Sequence, residues 1–307
     1  MNLKSLFSLA IVAVLVATSS YAQKDNAKKT DAERDGLKGK VKSVKETHYE
    51  AIEEFGKVTK GNVFGGKIHK YDDKENKIEW ADYYSDGSLR LKYICKYDDK
   101  GNLIEVAEEH NLYRKYIYKY DDKGNLIEMA RFDSDGSLYG KDIYKYDDKG
   151  NRIEEAEYNA DGSLGSKYTS QYDDKGNVIE GTRYNSDGSL IVKFTSQYDD
   201  KGNVIEGTRY RSDGSLSWKD TYKYDSKGNM IEAAEYNSDG SLGRKYTSQY
   251  DDKGNRIEET FYNSDGSLAR KGTYKYKFDS KGNWIEQITY DEGVADKVIE
   301  KEIEYYE

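Results

Sequence analysis

The chain has 307 residues, a net charge of −9, 31 Tyr against 7 Phe, 28 Gly, one Cys and no Pro. Acidic and basic residues are interleaved throughout without a basic patch, which argues against nucleic acid as a partner. A single thiol excludes an internal disulfide framework, so hydrogen bonds and packing must hold the fold.

In chain order, residues 1–22 read as a secretory signal peptide. Lys4 supplies the positive charge, Leu6 to Ala17 the apolar run, and Ser20-Tyr21-Ala22 a small-x-small cleavage site. The run is too short for a membrane span and no later segment is apolar enough for one. The mature chain is therefore expected to be exported, to the periplasm or the exterior. Residues 23–36 read as a charged, flexible lead. Residues 37–70 alternate as in Lys40-Val41-Lys42-Ser43-Val44 and read as an N-terminal capping hairpin with a longer loop near Gly61. Residues 291–307 read as a C-terminal capping strand whose charges protect an edge.

Residues 71–290 hold nine units of about 26 residues, anchored on Tyr-Asp-x-Lys-Gly-Asn-x-Ile-Glu. The anchor aromatic falls at Tyr71, Tyr97, Tyr120, Tyr146, Tyr172, Tyr198, Tyr224, Tyr250 and Phe278, and Thr169–Tyr184 is identical to Thr195–Tyr210. Each full unit carries two turn signals, such as Asp147-Asp148-Lys149-Gly150-Asn151 and Asn159-Ala160-Asp161-Gly162-Ser163. Asx first and Gly fourth suit a type I turn followed by a left-handed Gly. The segments between are rich in Ile, Thr and Tyr and of strand length. The prediction is an all-β antiparallel hairpin array, solenoid-like, with roughly eighteen strands. A curved single-layer sheet or a spiralling strip is favoured over a propeller, since nine units do not divide into whole blades. Three-residue loops would set Tyr158 opposite Leu164, Ala156 opposite Ser166, Tyr146 opposite Arg152 and Tyr144 opposite Glu154. Glu155 would lie opposite Lys167, and the Tyr, Leu, Ala and recurrent Glu would share one face.

The recurring Tyr-Asp-x-x-Gly-Asn resembles the YD repeat of Rhs-type bacterial toxins and teneurins, over Tyr71 to about Tyr290. That resemblance implies hairpins wound into a strip. The chain lacks an appended toxin domain and the Pro-containing cleavage motif of that family.

Chemistry is sparse. His48, His69 and His110 read as solvated residues, and Cys95 as a strand residue. The Glu recurring from Glu79 to Glu286 gives equivalent copies rather than one acid–base pair, so it reads as an acceptor for Tyr hydroxyls. The Asp-rich turns lack the twelfth-position Glu of a calcium loop. No enzyme activity, cofactor or metal is therefore expected. The candidate ligand contacts are Phe194, Trp218 and Trp284, with Tyr158, Tyr184 and Tyr210. Aromatic rings either stack on sugars or pack on neighbouring strands, and the sequence leaves both open. The expected function is a binding or adhesive module for an unknown protein or glycan of the envelope or exterior. The alternative is a structural spacer with no specific ligand.

Overall fold

The computed structural model describes residues 29–109 and 114–307; the expected signal peptide, the first residues of the lead and His110 lie outside the described residues. Each unit turns twice, and the turn chemistry is explicit. At Asp147 one carboxylate oxygen accepts from the backbone N–H of Lys149 (2.9 Å) and of Asn151 (2.8 Å), while the other accepts from the Asn151 side chain (2.8 Å). Gly150 then takes φ +81°, a left-handed conformation that an L side chain adopts only with strain. The Asp and the Gly-Asn of the motif are thus one self-capped loop, repeated along the chain.

Among the described residues twenty antiparallel strands follow, each paired with the next, from β1 (Val41–Glu54) to β20 (Val294–Tyr305). The array does not stay open or spiral, as the sequence predicts. β1 pairs with β20 from Ser43↔Glu304 to Glu50↔Lys297 and closes a barrel. The reason lies in charges read from the sequence as edge protection. Lys45 meets Glu302 at 2.8 Å and Lys301 meets Glu46 at 3.3 Å, so the end strands complement each other and pair. Gly61 lies inside β2 (Lys57–Tyr71) rather than in a loop, because the turn falls at Phe55-Gly56.

The register departs from expectation one residue beyond each turn. Leu164 faces Tyr158 and Tyr146 faces Arg152 as predicted, but Lys167 faces Ala156, Ser166 faces Glu157, and Tyr144 faces Glu155. The cause is a β-bulge beside each loop: Gly165 and Ile153 are the extra residues. A slip of one residue moves every later side chain to the opposite face. One face therefore carries the anchor Tyr, Tyr144, Tyr168, Phe194 and Trp218. The other carries Tyr158, Ala156, the recurrent Glu and its Lys partners, such as Lys145–Glu154 at 2.7 Å and Lys193–Glu180 at 2.6 Å. Glu154 and its equivalents do not accept from Tyr hydroxyls. Lys residues on the same face take these carboxylates instead.

Small residues such as Ala156 and Thr182 are buried on the Lys–Glu face too, so it is the desolvation of the long side chains that marks the Tyr face as the inner one. Desolvation is the foremost cause of raised pKa at Tyr118, Tyr168, Tyr222, Asp142 and Asp220 on that face. On the Lys–Glu face, Lys219, Lys223 and Lys145 are shifted first by hydrogen bonds to Glu. Concave walls crowd their side chains and convex walls do not. Barrels of 16–18 strands already leave an aqueous lumen, and among the described residues the side-chain links between strands reach no further than the second neighbour. The wall is one sheet thick.

The expected flexible lead is ordered over its described part. Thr30 caps a short helix, α1 (Asp31–Arg34), through a capping box with Glu33. Ala32 and Leu37 join Val41, Val44 and Tyr71 in a small buried cluster. Asp31 accepts from the Lys77 backbone (2.9 Å) and the Tyr97 hydroxyl (2.8 Å). At the other side of the seam, the Lys38 backbone exchanges two 2.8 Å hydrogen bonds with the Asn283 side chain. Residues 30–38 form a strap across the closure.

Candidate inner-wall site

The inner wall is built in rows, one residue per unit. The lowest row is the anchor Tyr. The hydroxyls of Tyr146, Tyr172, Tyr198 and Tyr224 donate to the backbone carbonyls of Leu126, Arg152, Val178 and Val204 at 2.6–2.9 Å. Each accepting carbonyl belongs to the residue just before a bulge, where the ladder is interrupted. This hoop accounts for the preference for Tyr at the anchor, since the ring lines the wall and the hydroxyl satisfies the backbone; at the Phe278 anchor it is Tyr276 that donates, to the Arg256 carbonyl at 2.9 Å.

Four residues before the anchor lies a row that varies: Asp142, Tyr168, Phe194, Asp220 and Tyr246. Asp142 is 4% exposed. It sits opposite Glu157, and Arg131 reaches both, at 3.2 and 3.3 Å. Burial, helped by Glu155 and Glu157 against the pull of Arg131 and Arg152, raises its pKa to about 6. Asp220 sits opposite Glu235, and burial plus that carboxylate raise it likewise to about 6. The Trp218 indole N–H donates to Asp220 (3.2 Å), and Arg244 holds Glu235 at 2.7 Å.

Between these two acids the wall is aromatic and basic. Arg209, on β13 (Val204–Arg211), faces Phe194 on β12 (Leu190–Tyr198) and Trp218 on β14 (Leu216–Tyr224). Its guanidinium lies 5.3 Å from the Phe194 ring centroid and 4.2 Å from that of Trp218. Among the described residues no carboxylate makes an ion pair with Arg209. Desolvation alone lowers its pKa. Two residues earlier on the same face is Gly207, where an added Cβ would meet nothing within 4 Å. The equivalent Gly181 is covered: a Cβ there would lie 1.8 Å from the Tyr168 hydroxyl oxygen. A cleft of about 960 Å³ begins at Asp220 and continues past Tyr222, Glu235, Arg244, Tyr246 and Phe261.

The six residues singled out by sequence are thus divided. Phe194 and Trp218 meet across Arg209. Trp284 shares the inner face but lies near the seam, 3.4 Å beneath the buried Lys301 ammonium and edge-on to Tyr276. Burial lowers the Lys301 pKa. Its partner Glu46 is likewise penalised by burial, but the bonds from His48 and Lys301 outweigh this and hold Glu46 at about 2. Tyr158, Tyr184 and Tyr210 lie on the outer face, Tyr184 beneath the Lys167 ammonium at 5.7 Å. Cys95 is half-buried on the inner wall, and burial pushes its thiol up. Sequence reasoning missed Arg209, Gly207 and Asp220. Aligning the units would have shown Asp220 as a charge change in the varying row, whereas Gly207 and Arg209 match Gly181 and Arg183 of the preceding unit.

No protein-family model matches the chain, and no curated protein matches it by sequence. Similar solved structures include the TcdB2-TccC3 complex without its hypervariable C-terminal region, at 14% identity, 80% of this chain, 15% of that chain and a TM-score of 0.41. A Photorhabdus luminescens Tc holotoxin pore is similar at 13% identity, over 78% of this chain and 16% of that one, with a TM-score of 0.32. A porin-like protein from Bacteroides uniformis is similar at 12% identity, over 86% of this chain and 98% of that one, with a TM-score of 0.38. Likeness at these scores transfers no function to this chain.

Proposed function

We propose that the protein is an exported, non-enzymatic binding barrel built of YD-type hairpins, whose inner wall receives a glycan or polypeptide of the envelope or exterior. The observation that carries this reading is the Phe194–Arg209–Trp218 stack. It sets a cation between two rings in the row that varies from unit to unit. The signal-like first 22 residues support export. The outer face supports a water-borne barrel: its strand centres carry Lys and Glu in nearly every hairpin, and Lys or Arg facing lipid at mid-depth costs ~2–4 kcal/mol each. Two carboxylate pairs, Asp142–Glu157 and Asp220–Glu235, have the same opposed arrangement with an Arg beside each. Repetition of the pair in two units favours wall packing over a single acid–base centre.

The test is a glycan array and a pull-down from envelope extract, with wild type, Phe194→Ala, Trp218→Ala and Tyr184→Ala. Loss of the retained ligand in the two inner-wall variants, with retention in the outer-face variant, is the expected result. No ligand in any form would leave the spacer.

A further inference from the structure

Arg209 is a cation that no described carboxylate neutralises. Its guanidinium lies 4.2 Å from the Trp218 ring centroid and 5.3 Å from that of Phe194, and ring contacts leave its N–H donors to another partner. Stacking on aromatic faces stabilises a guanidinium but satisfies none of its five donors. Arg131, on the same face of the wall, is matched by Asp142 and Glu157. Arg209 is only partly exposed, and a carboxylate brought to it would supply the counter-charge that the described residues do not.

The space beside Arg209, over Gly207, is open. In the preceding unit Tyr168 leans over Gly181 and fills it. In this unit the equivalent ring is Phe194, which lies against Arg209 instead, and Gly207 is bare. A six-membered ring over Gly207 would take the place that Tyr168 takes over Gly181. The floor of the space is Gly207, and its flanks are Ser196 and Asp220, the residues directly opposite Gly207 on β12 and β14. A hydroxyl and a carboxylate at the flanks suit ring hydroxyls, and a planar fork at the end suits a carboxylate.

We propose that the Gly207 vacancy binds a hexuronate ring of an acidic polysaccharide. The ring carboxylate engages the Arg209 fork, the ring lies over Gly207 against Phe194, and Asp220 accepts from a ring hydroxyl. This rests on the binding-barrel reading and specifies its ligand class.

The experiment is calorimetric titration of the full exported chain with trigalacturonate, galactotriose and inorganic phosphate. Trigalacturonate is expected to bind at least ~10-fold more tightly than galactotriose, and Arg209→Gln to remove that difference. Because Arg209→Gln also removes a member of the stack, Gly207→Leu is the second variant. It leaves Arg209 in place, puts its Cβ into open space, and is expected to abolish trigalacturonate binding while melting normally. Tyr184→Ala on the outer face is expected to bind as wild type. Equal binding of the two trisaccharides, unchanged in Arg209→Gln and Gly207→Leu, would overturn the hexuronate site and leave the binding barrel standing. Phosphate binding as tight as trigalacturonate would also overturn it, since the ring would then contribute nothing. Failure of all three probes, together with an empty pull-down, would overturn both readings.

Discussion

The segments Thr169–Tyr184 and Thr195–Tyr210 are identical in sequence, pair in the same register and carry the same bulges, yet their inner walls differ. In the first, Tyr168 closes over Gly181. In the second, Phe194 turns to Arg209, Trp218 covers the other side, and Gly207 is open. The difference comes from residues outside the identity: the one preceding it, and those on the next strand. In a one-layer wall a residue's surroundings belong to its cross-strand neighbours more than to its own strand. Duplication therefore copies the scaffold faithfully, while single substitutions at the varying row write the site.

The largest expected effect separates the twins at their glycines. Gly181→Ala forces the Tyr168 ring off a contact that its new Cβ would occupy, and should destabilise the barrel by about 1–3 kcal/mol. Gly207→Ala meets nothing, adopts an extended backbone, and should be neutral or stabilising by a few tenths of a kcal/mol. Urea denaturation of both variants measures this directly. Equal costs would mean that Tyr168 does not hold its place over Gly181 and that the twins are alike in solution.

A somewhat smaller effect tests the acids that flank the twins, at the same repeat position. Asp142 and Asp220 are raised to about 6, chiefly by burial. The folded state thus holds these protons more tightly than the unfolded chain, whose Asp titrates near ~3.9. Their contribution is most favourable below that value and is lost as pH rises from about 4 through 6. Asp142→Asn and Asp220→Asn should each raise stability at pH 7 by about 1 kcal/mol after allowance for solvent screening, and change nothing at pH 4. Melting curves across that range decide it. A gain that persists at pH 4 would assign the effect to packing rather than to charge.

Much of this wall was legible in the sequence. The Asp and Gly-Asn of each loop gave the turns, and the turns gave antiparallel strands, because their chemistry is local and self-contained. The bulges at Ile153 and Gly165 were not legible. Nothing in a single unit distinguishes a paired residue from an extra one, and that one uncertainty reversed the faces of Tyr158, Tyr184 and Tyr210. Closure was hidden for a different reason. The pairing of Lys45 with Glu302 spans nearly the whole chain, and alternating charge on an end strand reads equally well as protection or as complementarity. The site was half visible: Phe194 and Trp218 stood out as irregular aromatics, but the link between them is Arg209, whose twin Arg183 looks identical in sequence and reaches Ser166 and Glu157 instead.

The smallest expected effect asks whether one hydroxyl separates the twins. Phe194→Tyr gives the second unit the ring that the first one has. If the Tyr168 pose is a property of the unit, the new ring should leave Arg209, cover Gly207 and fill the vacancy. Stability should change by less than about 1 kcal/mol, because one partly buried ring pose replaces another. The informative readouts are the Arg209 side-chain NMR resonance, which should lose its ring-current shift from residue 194, and trigalacturonate affinity, which should fall as in Gly207→Leu. If the resonance stays put, the Arg209–Trp218 pair, rather than the missing hydroxyl, holds the ring in place. The site would then have been written by Trp218 on the following strand, and Trp218→Ser in an otherwise unchanged chain should let residue 194 close over Gly207 as Tyr168 closes over Gly181.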